Sequence, residues 1–246
     1  MMGAYNSVGL MLATVSLLST AGADPGRLEI PVTQRLESSA ATGLQRFKEN
    51  GLRGLFYVPR SYNPNEPLPL LILLHGGDHH ASDWFGSYSR RAEKGRFIIV
   101  APDSIGRTWG STGDYRPDVA RINGALAAVF SRYAVDPGRI IVGGFSDGAS
   151  YALSLGLCNG DRIRGVIAFS PGYINGRQGR GHPAFFVSHG LQDTMLPIEG
   201  TRSFVALLQN AGYAVVYREF NGGHEVPPSL SDVAMTWVEA IFRAKR

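Results

Sequence analysis

Residues 143–156, GGFSDGASYALSLG, set Ser146 between Phe145 and Asp147 and flank that trio with Gly144 and Gly148. A nucleophilic serine on a sharp, strained strand-to-helix turn needs small residues two before and two after it, because the helix must return close to the strand. The hydroxyl is a weak nucleophile at neutral pH. It needs a base within hydrogen-bond reach, and the base needs a carboxylate to orient it. In a strand–turn–helix setting the partners follow in the chain order carboxylate, then histidine. Asp193, just past AFFVSHG (184–190), and His224, just past AVVYREF (214–220), satisfy that order. Asp147 and Glu225 are rival carboxylates, but each adjoins the residue it would have to reach around. His189 ends the strand that supplies Asp193 and reads as a backbone-bonding residue that steadies the loop.

Acyl transfer also requires donors aimed at the developing oxyanion. The backbone N–H of Asp147 is one candidate; the loop after LILLHGG supplies the other, with Gly77 preferred and Asp78 next. Trp84, Trp109, Met195 and Leu196 lie on neighbouring loops and are the expected walls of a substrate pocket, as alternatives to core packing. The same HGGDHHASD loop offers a second chemistry. His75, Asp78, His79, His80 and Asp83 are metal-ligand types, so a metal-dependent hydrolase is an alternative that would not need the Ser-Asp-His order.

These residues have to be positioned by something. PLLILLHGG (69–77) is a continuous apolar run ending in glycines, as expected of a strand buried on both faces. Runs at 96–103, 139–145, 165–172, 184–190 and 214–220 repeat it, and GLQRF and LRGLFYVP around KENG read as an N-terminal antiparallel hairpin. Helical spacing recurs over 118–133, with Asp118 as a plausible N-cap, and over 201–212 and 229–244. Strand and helix in alternation predict an α/β domain, a mostly parallel central sheet with helices on both faces and no large lid. Ligands bind at the carboxyl ends of such strands, which is where Ser146, Asp193 and His224 fall.

The chain of 246 residues, 44% apolar and 18% charged, suits one domain with a sizeable core. A net charge of +4, with basic residues scattered, argues against a nucleic-acid partner. Residues 1–23 contain no Asp, Glu, Lys, Arg or His and include the apolar run VGLMLATVSLL (8–18) before Ala21-Gly22-Ala23. This reads as a secretory signal cleaved before Asp24, giving an exported protein without a membrane span; if uncleaved, the protein is cytoplasmic. Residues 24–42 then form an N-terminal extension and 43–246 the catalytic domain. The single cysteine, Cys158, cannot form an intrachain disulfide and reads as buried packing.

Taken together, LLHGG…DW, APDS.GRTWG, VDPGRIIVGGFSDGASYALSLG, VSHGLQDTMLPI and NGGHEVPP resemble the bacterial serine esterases of the α/β-hydrolase superfamily. The similarity is to the phospholipase/carboxylesterase, polyhydroxyalkanoate-depolymerase-like and feruloyl-esterase-like groups, and it covers about residues 44–243. The resemblance implies an α/β-hydrolase fold with Ser146, Asp193 and His224 as triad; the absence of a large lid favours a small or soluble ester as substrate, and no cofactor is expected. A thioesterase or peptidase could use the same residues, and a non-catalytic binding module could retain the fold.

Overall fold

The computed structural model describes residues 26–31, 41–49, 51–110, 114–174 and 179–244; the expected leader over 1–23 and its cleavage point lie outside them. In chain order the elements are β1 (Gly43–Arg46), β2 (Gly54–Val58), β3 (Leu68–Leu74), a 3-10 turn (Ala81–Trp84), α1 (Phe85–Gly95), β4 (Ile98–Pro102) and α2 (Arg116–Phe130). There follow β5 (Val135–Phe145), α3 (Asp147–Cys158), β6 (Gly165–Phe169), β7 (Ala184–Gly190), α4 (Ile198–Asn210), β8 (Val215–Phe220) and α5 (Pro228–Arg243).

The strands form one sheet in the order β1-β2-β4-β3-β5-β6-β7-β8. From β4 to β8 neighbouring strands are parallel, while β2 runs antiparallel to both β1 and β4. Every residue of β3, β4 and β6 is buried, which is why these strands read as unbroken apolar runs rather than alternating ones. Alternate side chains feed two cores. Leu70, Ile72 and Leu74 face the layer built from α2, α3 and α4, and Leu71 and Leu73 face the layer of α1 and α5. β8 is an edge strand and stays half exposed.

Two features depart from the sequence reading. Helix α1 had no apolar run to announce it: FGSYSRRAEKG buries only Phe85, Tyr88 and Ala92, a narrow stripe under a basic ridge. Asp118 is not an N-cap. The helix starts at Arg116 with Pro117 in its first turn, a position where the missing N–H costs nothing. The buried Asp118 carboxylate instead accepts the N–H groups of Ile105 and Gly110, each at 2.7 Å, and so staples the loop after β4.

Residues ahead of β1 also pack on the sheet and its helices. Leu28 is fully buried in the core, its N–H donates to Asn159 Oδ1 at 2.8 Å, and Asn159 Nδ2 donates to the carbonyl of Gly26 at 2.8 Å. Arg27 pairs with Asp161, three residues past the end of α3. This short segment clamps the helix that carries Ser146 at its other end. Leu28→Ala should therefore lower the unfolding free energy by about 2–5 kcal/mol, as large-to-small core substitutions do. Urea denaturation checks it, and a midpoint equal to wild type would mean the segment is not part of the core.

Candidate active site

β5 runs out at Phe145 and the chain turns at once into α3, leaving Ser146 at φ 57°, ψ −122°. A side chain at positive φ costs on the order of 1–3 kcal/mol, so the surroundings must hold it there. Ser146 N–H donates to the carbonyl of Phe169 in β6 at 2.9 Å, and the Ser146 carbonyl accepts both the N–H and the hydroxyl of Ser150 at 3.0 and 3.1 Å. The Ser150 oxygen accepts the N–H of Gly172 at 2.9 Å, tying the turn to the loop after β6. The glycines act by close approach. A Cβ on Gly148 would collide with the carbonyl oxygens of Leu74 and His75, and one on Gly144 would collide with Gly148 itself.

The loops after β7 and β8 converge on this turn. Leu191 N–H donates to Phe220 O at 2.8 Å and Gln192 N–H to Gly222 O at 2.9 Å, which draws the two loops together. His224 Nε2 lies 2.9 Å from Ser146 Oγ, and its Nδ1 lies 2.6 Å from Asp193 Oδ2. The carboxylate fixes the tautomer: Nδ1–H donates to Asp193, leaving Nε2 to accept the serine proton. Phe145 backs the imidazole with ring centroids 4.8 Å apart.

Asp193 Oδ1 accepts the N–H groups of Met195 and Leu196, each at 2.9 Å. Burial pushes the Asp193 carboxyl up, but the Leu196 N–H, the His224 ring and the Met195 N–H outweigh it and hold the group below the usual carboxylate range. The structure thus brings the three sequence-selected side chains into one hydrogen-bonded line, from the Ser146 hydroxyl donor through the imidazole to the Asp193 acceptor.

Opposite the serine, the HGG loop abuts the start of α3. A Cβ on Gly76 would stand 3.5 Å from Ser146 Cβ, and one on Gly77 would stand 2.8 Å from Asp147 Oδ2. Among the described residues no hydrogen bond engages the backbone N–H of Gly77 or of Asp147, and the second belongs to the free first turn of a helix. The Asp147 side chain is turned aside to accept the Thr108 hydroxyl at 2.7 Å. His75 anchors the loop: its Nδ1 lies 2.7 Å from the Gly76 carbonyl and its Nε2 accepts Ser104 N–H at 3.0 Å. Burial lowers its pKa, and Nε2 acting as an acceptor likewise favours the neutral ring.

A cavity of about 360 Å³ opens beside Gly76 and Phe145, walled by Trp84, Tyr88, Phe145 and Val226. Of the expected wall residues it contains Trp84 alone. Trp109 is 1% exposed, donates its indole N–H to the His75 carbonyl at 2.8 Å and packs between His75 and Tyr151 as core. Met195 is 71% exposed, and Leu196 lies against Gly172. Asp193 turns the backbone so sharply that these two contribute N–H groups rather than side chains. The sequence reading missed Phe145 and Val226, although one precedes Ser146 and the other follows His224 by two. A larger hollow of about 650 Å³ sits at the amino ends of β3 and β4, at the opposite end of the sheet from Ser146, and its rim is charged.

The ligand types around HGGDHHASD are drawn into other bonds. Asp78 pairs with Arg107, and His79 with Asp83. Among the described residues no group of three His, Cys, Asp or Glu side chains is placed to hold a metal ion, and no helix is long and apolar enough to cross a membrane.

Residues 121–240 match the phospholipase/carboxylesterase family. Over 108 residues, 39% of this chain, the sequence is 28% identical to acyl-protein thioesterase 1 of Gibberella zeae, and the match spans 46% of that protein. In structure the chain is similar to esterase PE8 (20% identity, TM-score 0.65, 77% of this chain and 99% of that one). It is similar to the Bacillus cereus carboxylesterase (19%, 0.61, 78% and 96%) and to an S-formylglutathione hydrolase from Agrobacterium tumefaciens (17%, 0.64, 83% and 99%). At these identities the structural likeness shows the fold, and it is the α/β-hydrolase fold that the motifs implied.

The close approach of α3 to β3 gives a prediction. Gly148→Ala forces the helix start away from Leu74 and His75, and overpacking of this kind costs about 1–3 kcal/mol. The melting temperature should fall, and reaction of Ser146 with a phosphonate probe should slow. Wild-type values for both would mean that the tight turn is not needed.

Proposed function

We propose that this chain, related to the phospholipase/carboxylesterase family through residues 121–240, is a serine hydrolase that cleaves carboxylic esters. The coarse class, a hydrolase, is supported by that match and by the esterase relatives in structure. The observation that carries the finer reading is the line from Ser146 Oγ through the His224 ring to Asp193, 2.9 Å and then 2.6 Å, on a strained turn.

In the proposed reaction His224 Nε2 takes the Ser146 proton as Oγ bonds to the ester carbonyl carbon. The N–H groups of Gly77 and Asp147 receive the negative oxygen. Collapse breaks the bond to the alcohol, which leaves with the proton from His224. Water then attacks the acyl-enzyme by the same route, releasing the acid and restoring Ser146. Asp193 holds the tautomer and offsets the charge on the imidazolium. The cavity beside Phe145 suits an apolar group of a small or soluble ester. A thioester is the second reading, favoured by the match to acyl-protein thioesterase 1.

Turnover of p-nitrophenyl esters and of matched acyl thioesters tests this. Ser146→Ala should lose on the order of 10⁴-fold or more in kcat for whichever class is cleaved. Activity that survives Ser146→Ala would remove the serine mechanism. Acid should also inhibit in a defined way. Because the Asp193 carboxyl is held low, it stays ionised where histidine takes up a proton. Protonation of Asp193 should therefore add no second step to the acid limb of kcat/KM in the mildly acidic range. A two-proton limb in the mildly acidic range would contradict this.

A further inference from the structure

His189 closes β7 with its side chain fully buried, and the reaction above gives it no step. Both its ring nitrogens are nonetheless engaged. Nε2 lies 2.8 Å from the Leu196 carbonyl oxygen and 3.1 Å from Asp193 Oδ2. Both of those atoms are acceptors, so Nε2 carries a proton. Nδ1 lies 2.7 Å from Thr201 Oγ1, which in turn lies 3.1 Å from the Pro171 carbonyl. Thr201 is buried and sits in the first turn of α4. With the ring proton on Nε2, Nδ1 is an acceptor, so the Thr201 hydroxyl donates to it and anchors the far side of the ring.

The consequence falls on Asp193. The Leu196 backbone is held on both sides: its N–H donates to Asp193 Oδ1 at 2.9 Å, and its carbonyl accepts the His189 proton. The same imidazole edge flanks Oδ2, the oxygen that holds His224. We propose that His189 is a positioning residue for Asp193, setting the carboxylate through Leu196 and through the direct approach of its Nε2–H edge. Thr201 carries that restraint back to α4. A further charged group near the ring is Glu219, its register partner on β8, and Arg202 already pairs with it. The inference rests on the reading of Asp193 as the orienter of His224.

A displacement of about 1 Å in such a relay costs on the order of 10²-fold in rate. His189→Leu, which keeps bulk and removes both nitrogens, should lower kcat toward p-nitrophenyl butyrate by about that factor with little change in KM. His189→Gln can still present an N–H to Leu196 and should recover most of the loss; Thr201→Val should fall between. The downfield proton resonance of the His224–Asp193 hydrogen bond should be lost or shifted in His189→Leu and retained in His189→Gln. Equal kcat in wild type and folded His189→Leu overturns the proposal. Gln no better than Leu also overturns it, since volume alone would then matter.

Should His189→Leu fail to fold, Thr201→Val decides: wild-type kcat together with a wild-type resonance refutes the restraint. Wild-type protein inert toward esters would instead remove the proposed function. The resonance in the three variants would still read the effect on Asp193.

Discussion

Ser146 stands at a positive φ that is costly for a residue with a side chain, and the rest of the site is arranged around keeping it there. Its N–H is held by β6 and its carbonyl by Ser150, and α3 is brought against β3 because position 148 has no side chain. The turn leaves the hydroxyl at the carboxyl end of a sheet buried on both faces. That sheet is stiff because β3, β4 and β6 are wholly enclosed between two cores, so the loops that leave neighbouring strands have defined starting points. Strain at one residue is thus balanced by burial spread over the whole sheet.

The electrostatics follow the same logic of fixed partners. Asp193 is shielded from solvent, a position that would favour its neutral form, yet backbone N–H groups and His224 keep it charged. A buried carboxylate so satisfied can hold an imidazole in one tautomer without itself taking a proton. On the other side of Ser146, Asp147 would bring a negative charge toward the two unengaged N–H groups, but Thr108 holds its carboxylate aside. The result is a polarity gradient across a few ångströms: carboxylate and base on one side of the hydroxyl, donors on the other, and an aromatic cavity alongside.

Much of this was legible in the sequence because the sheet is parallel and doubly covered. Its strands appear as apolar runs, and the polar residue that ends each run marks the functional end; Ser146, Asp193 and His224 were found that way and lie in contact in the structure. What was not legible depends on direction and distance. Trp109 follows a strand end as a pocket residue would, but its indole N–H is captured by the His75 carbonyl and the ring turns inward. Met195 and Leu196 adjoin Asp193, and the Asp193 side chain folds their backbone so that only the N–H groups face it. Asp118 has the residue type of a cap, yet Pro117 moves the helix start and leaves the carboxylate to the loop. Helix α1 was hidden because a helix with only Phe85, Tyr88 and Ala92 facing inward carries too few apolar residues to stand out.

The central claim is that the turn presents an activated serine. The most direct measurement is intact mass after exposure of the folded chain to a fluorophosphonate, followed by peptide mapping. The account predicts one adduct per chain, located on Ser146 and formed far more slowly when His224 is replaced by alanine. Absence of an adduct on folded protein, or an adduct on another residue, would contradict it.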